Sequence, residues 1–237
     1  LQQWLKNLDK IYLSYLELMG EVPHEGRKLA IQTTKGIYSG YWALAGYPIL
    51  WTANGTAVED SFSQMLQHDD WCFGILHEIG HVFNIGDTSW NWNDEMFANF
   101  RMHYALEKNN GKVYMDGRNG KQVFTGGEIL DMYKIDYENT IGTKVNDNGI
   151  HYMLARMAAS ITWEPYKKTF NYLRKNGGSG TNKYDKFVHF VNTLNRFAKE
   201  TNPDVDVWDY FSALELESIK KQLNYCLLYT SPSPRDG

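Results

Sequence analysis

Cysteine is almost absent from this 237-residue chain, which contains only Cys72 and Cys226. A disulfide framework of the kind that staples small secreted domains is therefore excluded, and a chain of this length buries enough apolar surface to do without one. Proline is scarce, at six residues, and no low-complexity tract occurs, which sets the collagen-like and disordered classes aside. Charge of one sign is nowhere concentrated: 24 Lys and Arg stand against 28 Asp and Glu, for a net charge of −4, and there is no dense basic run. Nucleic acid and anionic membrane surfaces are poor partners for such a chain. No stretch approaches the roughly 18 apolar residues of a transmembrane segment. The chain opens at Leu1 inside an amphipathic pattern, with neither Met nor a signal peptide, so the expectation is a fragment whose secretion signal and flanking domains lie outside it.

The C-terminal run from Cys226 to Gly237 matches, in frame from Cys226 to Asp236, the translation of a transposase sequencing adapter. Residues 226–237 are accordingly expected to be a non-native tail, leaving residues 1–225 as the native domain. Cys72 is then the one remaining cysteine and reads as a small core residue.

What is present is patterned apolar surface. Leu1, Trp4, Leu5, Leu8, Ile11, Tyr12, Tyr15, Leu16 and Met19 recur at three- and four-residue steps, predicting a core-facing helix that stops at Gly20. Strand-like runs follow over Lys28 to Thr33 and Tyr47 to Thr52, then two helices over residues 57–67 and 70–84. Asn93 is a good N-cap for a helix reaching Lys108, where Asn109, Asn110 and Gly111 end it. Alternation from Lys112 to Phe124 around Asp116-Gly117-Arg118-Asn119-Gly120 predicts a hairpin. Helical patterns return over Ile150 to Ser160, Pro165 to Lys175, Tyr184 to Glu200 and Val207 to Leu216.

The chemistry concentrates in Trp71 to Ala105, which contains His77-Glu78-Ile79-Gly80-His81, an HExxH pattern. Residues four apart on a helix differ by about 40° around its axis, so His77 and His81 share a face and can grip one metal ion. Glu78 points about 100° from His77 and sits beside such an ion without binding it, as a general base requires. A catalytic zinc of this kind takes a third protein ligand and keeps a position for water. Asp87, Asp94 and Glu95 are the downstream candidates; Glu95, in the first turn of the next helix, is favoured, with Asp94 as the alternative and Asp87 as a partner to a ligand imidazole. His103, Tyr104, His151 and Tyr152 are candidates for stabilising the oxyanion of peptide hydrolysis. His24, His68 and His189 have no constellation around them and read as structural or solvated.

HEIGH, followed fourteen residues after its second His by Glu95 in the run Trp92-Asn93-Asp94-Glu95-Met96-Phe97-Ala98-Asn99, resembles the enhancin-like, mucin-degrading zinc metallopeptidases of the gluzincin group. Looser similarity extends to Ala45–Ile49, Trp163–Phe170 and Asp206–Phe211. Asn84 departs from the Gln found in many members. The resemblance implies one zinc per chain on His77, His81 and Glu95, Glu78 as the base, and a supporting role for Asn99. It also implies a secreted or surface-displayed endopeptidase acting on O-glycosylated, mucin-like proteins. Trp90 and Trp92 fit either a cleft that stacks sugar rings or an ordinary aromatic core.

The expected fold is an α+β, zincin-like metallopeptidase domain over residues 1–225. A mixed N-terminal half carries the active-site helix, and a mainly helical C-terminal half faces it across the cleft, the two being split near residues 110–150. Glu78 would take a proton from a zinc-activated water and pass it to the leaving amine. The expected state is a monomer. Two alternatives stand beside this reading: another HExxH peptidase or aminopeptidase acting on unglycosylated substrates, and a non-catalytic mucin- or glycan-binding protein of the same fold.

Overall fold

The computed structural model describes residues 1–37, 43–117 and 120–224. The expected tail over 226–237 and the Arg118-Asn119 turn lie outside the described residues. In chain order the elements are α1 (Gln2–Met19), β1 (Ile31–Thr34), β2 (Ala43–Leu44), β3 (Ile49–Thr52), α2 (Ala57–His68), β4 (Asp70–Cys72), α3 (Phe73–Val82) and α4 (Asp94–Asn109). The hairpin β5 (Lys112–Gly117) and β6 (Gly120–Thr125) follows. The rest is helical: α5 (Gly126–Thr140), α6 (Asp147–Arg156), α7 (Ala158–Ile161), α8 (Glu164–Asn176), α9 (Lys183–Thr201) and α10 (Ala213–Leu223). The chain is a mixed α+β fold whose strands all precede residue 126 among the described residues. No described helix is long and apolar enough to cross a membrane.

The predicted stripe of α1 is buried through Trp4, Leu8, Ile11, Tyr15, Leu18 and Met19, and Gly20 closes the helix at φ 76 with its N–H on Leu16 O. That left-handed cap is cheap only for glycine. The strands form two small sheets. In the first, β3 lies between β1, parallel to it, and β2, antiparallel to it. In the second, β4 runs parallel to β5, which pairs with β6 in the predicted hairpin.

Four elements differ from expectation, the last predicted helix among them: Val207–Tyr210 is a 3₁₀ turn, and α10 begins after the Ser212 cap instead of at Val207. β2 is two residues long and offers too little alternation to be legible. β4 occupies the first three residues of what the pattern assigned to the helix over 70–84, because Asp70 to Cys72 pair with Lys112 to Tyr114, a partner far along the chain. α5 was not anticipated at all: Gly126 and Gly127 argue locally against a helix. A local cap and a close approach to α4 decide otherwise. Thr125 and Glu128 close a capping box, the Glu128 N–H donating to Thr125 Oγ1 and the Thr125 N–H to the Glu128 carboxylate. A Cβ on Gly126 would come within 3.1 Å of the Glu107 backbone nitrogen.

One apolar core runs from Trp4 to Leu223, continuous across residues 110–150. Its centre is aromatic: Trp90, Trp92, Phe97, Phe100, Phe170, Phe187 and Phe190 make ring contacts at 4.6–6.3 Å. Against this core α4 lies across α3, and Gly80 sets how closely they meet. A Cβ at Gly80 would sit 2.6 Å from the Ala98 carbonyl oxygen, nearer than any side chain tolerates. Gly80→Ala should therefore push the helices apart and cost about 1–3 kcal/mol of stability. Urea denaturation measures this, and an unchanged midpoint would contradict so tight a contact.

Candidate metal centre

α3 carries His77 and His81 on one face, one turn apart, with their Nε2 atoms 3.0 Å from each other. Glu95 reaches the same point from the first turn of α4. That turn is set by Asn93, whose side chain accepts the Met96 N–H and starts the helix where the sequence predicted. Glu95 Oε2 is 3.0 Å from His77 Nε2 and 3.4 Å from His81 Nε2. Among the described residues, this trio is the one group of His, Cys, Asp or Glu whose ligand atoms all lie within 4.8 Å of one another. Asp94, the alternative ligand, is not part of it.

The outer nitrogens decide which way the lone pairs face. His77 Nδ1 lies 2.8 Å from Asn99 Oδ1, an acceptor, so Nδ1 carries the proton and donates it. His81 Nδ1 donates likewise to Asp94 Oδ2 at 2.6 Å. Both Nε2 lone pairs therefore point at the Glu95 carboxylate. Three acceptors converging in this way repel one another unless a cation or a proton lies among them. The separations of 3.0, 3.0 and 3.4 Å also suit one small ion: tetrahedral zinc with bonds of about 2.0–2.1 Å places its ligand atoms about 3.3 Å apart.

Burial and charge tune the groups. Burial pushes the Glu78 carboxyl up, with the charge of Glu95 acting in the same direction. His77, His81 and a hydrogen bond from the Ala45 backbone N–H oppose the rise without cancelling it. Burial disfavours the Asp94 carboxylate, but the hydrogen bond from His81 and the charge of Arg101 outweigh it and hold Asp94 below the usual range. Burial likewise disfavours protonated His81, yet Asp94, Glu95 and Glu78 together raise its pKa. A proton and a metal compete for the His81 Nε2 lone pair, so uptake is coupled to pH.

The trio opens into a cleft of about 800 Å³ bordered by Ala43, Leu44, Ala45 and Gly46 on one side and by Phe73, Gly74 and the start of α4 on the other. Its lining runs from His24 to Glu95 and, among the described residues, contains no Lys or Arg. The expectation was a cleft between the N-terminal and C-terminal halves. Instead none of α5 to α10 borders it, because α4 turns its far face to the aromatic core and interposes itself. His24, read from sequence as structural or solvated, lines the cleft and packs against Tyr47, the rings tilted at 43° with centroids 4.6 Å apart. No sequence signal marked it, since a left-handed backbone at φ 52 places it there.

Other expectations are corrected. Trp90 and Trp92 are 0% and 3% exposed and pack on Phe97, so neither can stack a sugar ring. Among the described residues Asp87 touches no imidazole; it is exposed and accepts the Ser89 N–H, while Asp94 and Asn99 bond the imidazoles of His81 and His77. Asn84 contacts the same network one step out, accepting from Asn91, which also donates to Asp94. His151 is buried away from the cleft, its Nε2 3.2 Å from His103 Nδ1, and His103 Nε2 bonds Glu107 at 2.9 Å. Tyr104 and Tyr152 pack on Trp163 and Tyr137 instead. None of these four lines the cleft.

Burial, then the charge of His103, pushes the His151 pKa well below its ordinary 6.5. Above pH 6.5 folded and unfolded chains both hold it neutral; as pH falls below that value only the unfolded chain gains the proton, and stability is lost. His151→Gln should remove this component. The difference in unfolding free energy between variant and wild type should shift in the variant's favour between pH 6.5 and 5, by at most about 1.4 kcal/mol per pH unit. Parallel denaturation curves at both pH values would contradict the assignment.

No protein-family model and no curated protein matches the sequence. Two solved structures are similar in fold. One, described as a functionally unknown conserved protein from Bacillus anthracis str. Ames, has a TM-score of 0.59 at 17% identity, over 93% of this chain and 46% of that one. The other, a mutant protein given the same description, has a TM-score of 0.60 at 16% identity, over 92% of this chain and 45% of that one. This chain thus spans less than half the length of either neighbour, and the likeness is one of fold.

Proposed function

We propose that this protein is a zinc-dependent endopeptidase with a zincin-like catalytic domain. In this reading it is a monomer with one zinc on His77, His81 and Glu95. Its substrates are O-glycosylated, mucin-like proteins at or beyond the cell surface. The observation that carries the metal reading is the convergence of three acceptor atoms at 3.0–3.4 Å, each imidazole oriented from behind. The donor set is the oxygen and nitrogen chemistry that zinc takes in catalytic sites. The mucin substrate rests on the resemblance of the motif.

A zinc ion held there supplies a Lewis acid for the scissile carbonyl and lowers the pKa of an attacking water. The chain's own groups do the rest. Glu78 follows His77 on α3, part-buried at the cleft floor, and accepts the Ala45 N–H, which leaves carboxylate capacity for the water's proton. Its raised pKa suits a base that must afterwards give the proton to the leaving amine. Ala43, Ala45, Gly46 and Gly74 leave backbone-lined space beside it for an extended chain.

A second reading, an HExxH peptidase for unglycosylated proteins, is favoured by the burial of Trp90 and Trp92, which removes the aromatic shelf offered to sugars. Elemental analysis tests the metal: about one zinc per wild-type chain is expected, with most of it lost in Glu95→Ala. Glu78→Gln should keep its zinc while hydrolysis falls about 10²- to 10⁴-fold. Comparing an O-glycosylated mucin with the same protein after enzymatic deglycosylation separates the two readings. Wild type without zinc under metal-replete conditions, or near-normal turnover by Glu78→Gln, would overturn the mechanism.

A further inference from the structure

We propose that Arg101 is a positioning residue for the metal centre, holding Asp94, and through it the His81 imidazole, from beneath the junction of α3 and α4. The proposal rests on the zinc reading above. Arg101 lies seven residues after Asp94 on α4, two turns along the same face, and helical side chains lean toward the N-terminus. Its guanidinium therefore reaches back to where both ligand-bearing helices end or begin. Nη1 donates to the Gly80 carbonyl at 2.8 Å and lies 3.5 Å from Asp94 Oδ1. The other oxygen of Asp94 takes the His81 proton at 2.6 Å. One cation thus touches the residue preceding ligand His81 and the residue preceding ligand Glu95.

A purely structural account of Arg101 fits poorly. The side chain is 0% exposed, and Nε and Nη2 have no partner among the described residues. Burying a guanidinium with the three N–H donors of Nε and Nη2, out of its five, unpartnered among the described residues is costly, and an apolar residue of similar volume would fill the space with less penalty. What an apolar residue would not do is oppose the burial of Asp94. Asp94 lies in a cleft whose charged neighbours Glu78 and Glu95 are also acids, and Arg101 is the cation beside it. Without Arg101 the carboxylate would turn toward water, and His81 would lose the acceptor that fixes its tautomer and ring plane.

The test is zinc affinity of the full chain, read by competition with a chromophoric chelator, with circular dichroism and thermal melting as the check on folding. Arg101→Met should bind zinc about 10- to 100-fold more weakly while remaining folded, and Arg101→Lys should recover part of the loss. The deciding measurement is a double-mutant cycle with Asp94→Asn. If Arg101 acts through Asp94, adding Arg101→Met to Asp94→Asn should weaken binding by less than about twofold, whereas a general loosening of the α3–α4 contact multiplies the two losses. Arg101→Gln, which keeps a donor for Gly80 O without the charge, replaces Arg101→Met in the same cycle if the Met variant does not fold. Wild-type affinity in a folded variant, or multiplied losses in the cycle, overturns the proposal and leaves the metal reading standing. A wild-type protein that binds no zinc overturns both.

Discussion

Two helices touch at Gly80, and the arrangement of the candidate site depends on that contact. His77 and His81 are neighbours by helical geometry alone, whereas Glu95 belongs to another helix, and its oxygen arrives within 3.4 Å of both imidazoles only because α4 crosses α3 at backbone distance. The same approach brings Asn99 to His77 and Asp94 to His81. A wider crossing would break all four relationships together. The aromatic core on the far side of α4 works to the same end, since Trp90, Trp92 and Phe97 anchor the start of the helix that presents Asp94 and Glu95.

Polarity in this region is layered. The converging atoms of His77, His81 and Glu95 are acceptors, the next layer of Asn99 and Asp94 accepts the outer imidazole protons, and behind Asp94 lies a buried cation. Each layer orients the one in front of it, which holds the site in shape while Glu95 itself remains largely exposed. Glu78 stands apart from the chain of partners and takes its hydrogen bond from the Ala45 backbone N–H beside the edge strand β2. A carboxylate so placed is free to exchange protons with whatever occupies the cleft.

Local signals are legible where they are strong. The stripe and glycine stop of α1, the Asn93 cap and Asn110 end of α4, and the hairpin after it all lie where periodicity and capping put them. The grouping of His77, His81 and Glu95 is likewise legible from HExxH and the next helix's first turn, although that turn also holds Asp94, and only the fold separates the two carboxylates. Weak or conflicting signals hid the rest. α5 begins with two glycines, β4 needs a partner forty residues away, and β2 is too short to alternate.

What the sequence by itself determined is therefore the part governed by neighbours in the chain: helices with their caps, and a pair of histidines with a glutamate between them on one helix. Only tertiary structure decided which residues face the site and which face the core. Trp90 and Trp92 lie as close in sequence to Glu95 as any cleft residue would, yet they are buried, while His24, more than fifty residues before the first ligand, lines the cleft. Arg101 and His103 are neighbours on α4, but one reaches back to Asp94 and the other pairs with His151. The reason is that a helix fixes the angle between its side chains and leaves open which angle meets solvent, metal or core; that choice is made by the packing of partners that are distant in the chain.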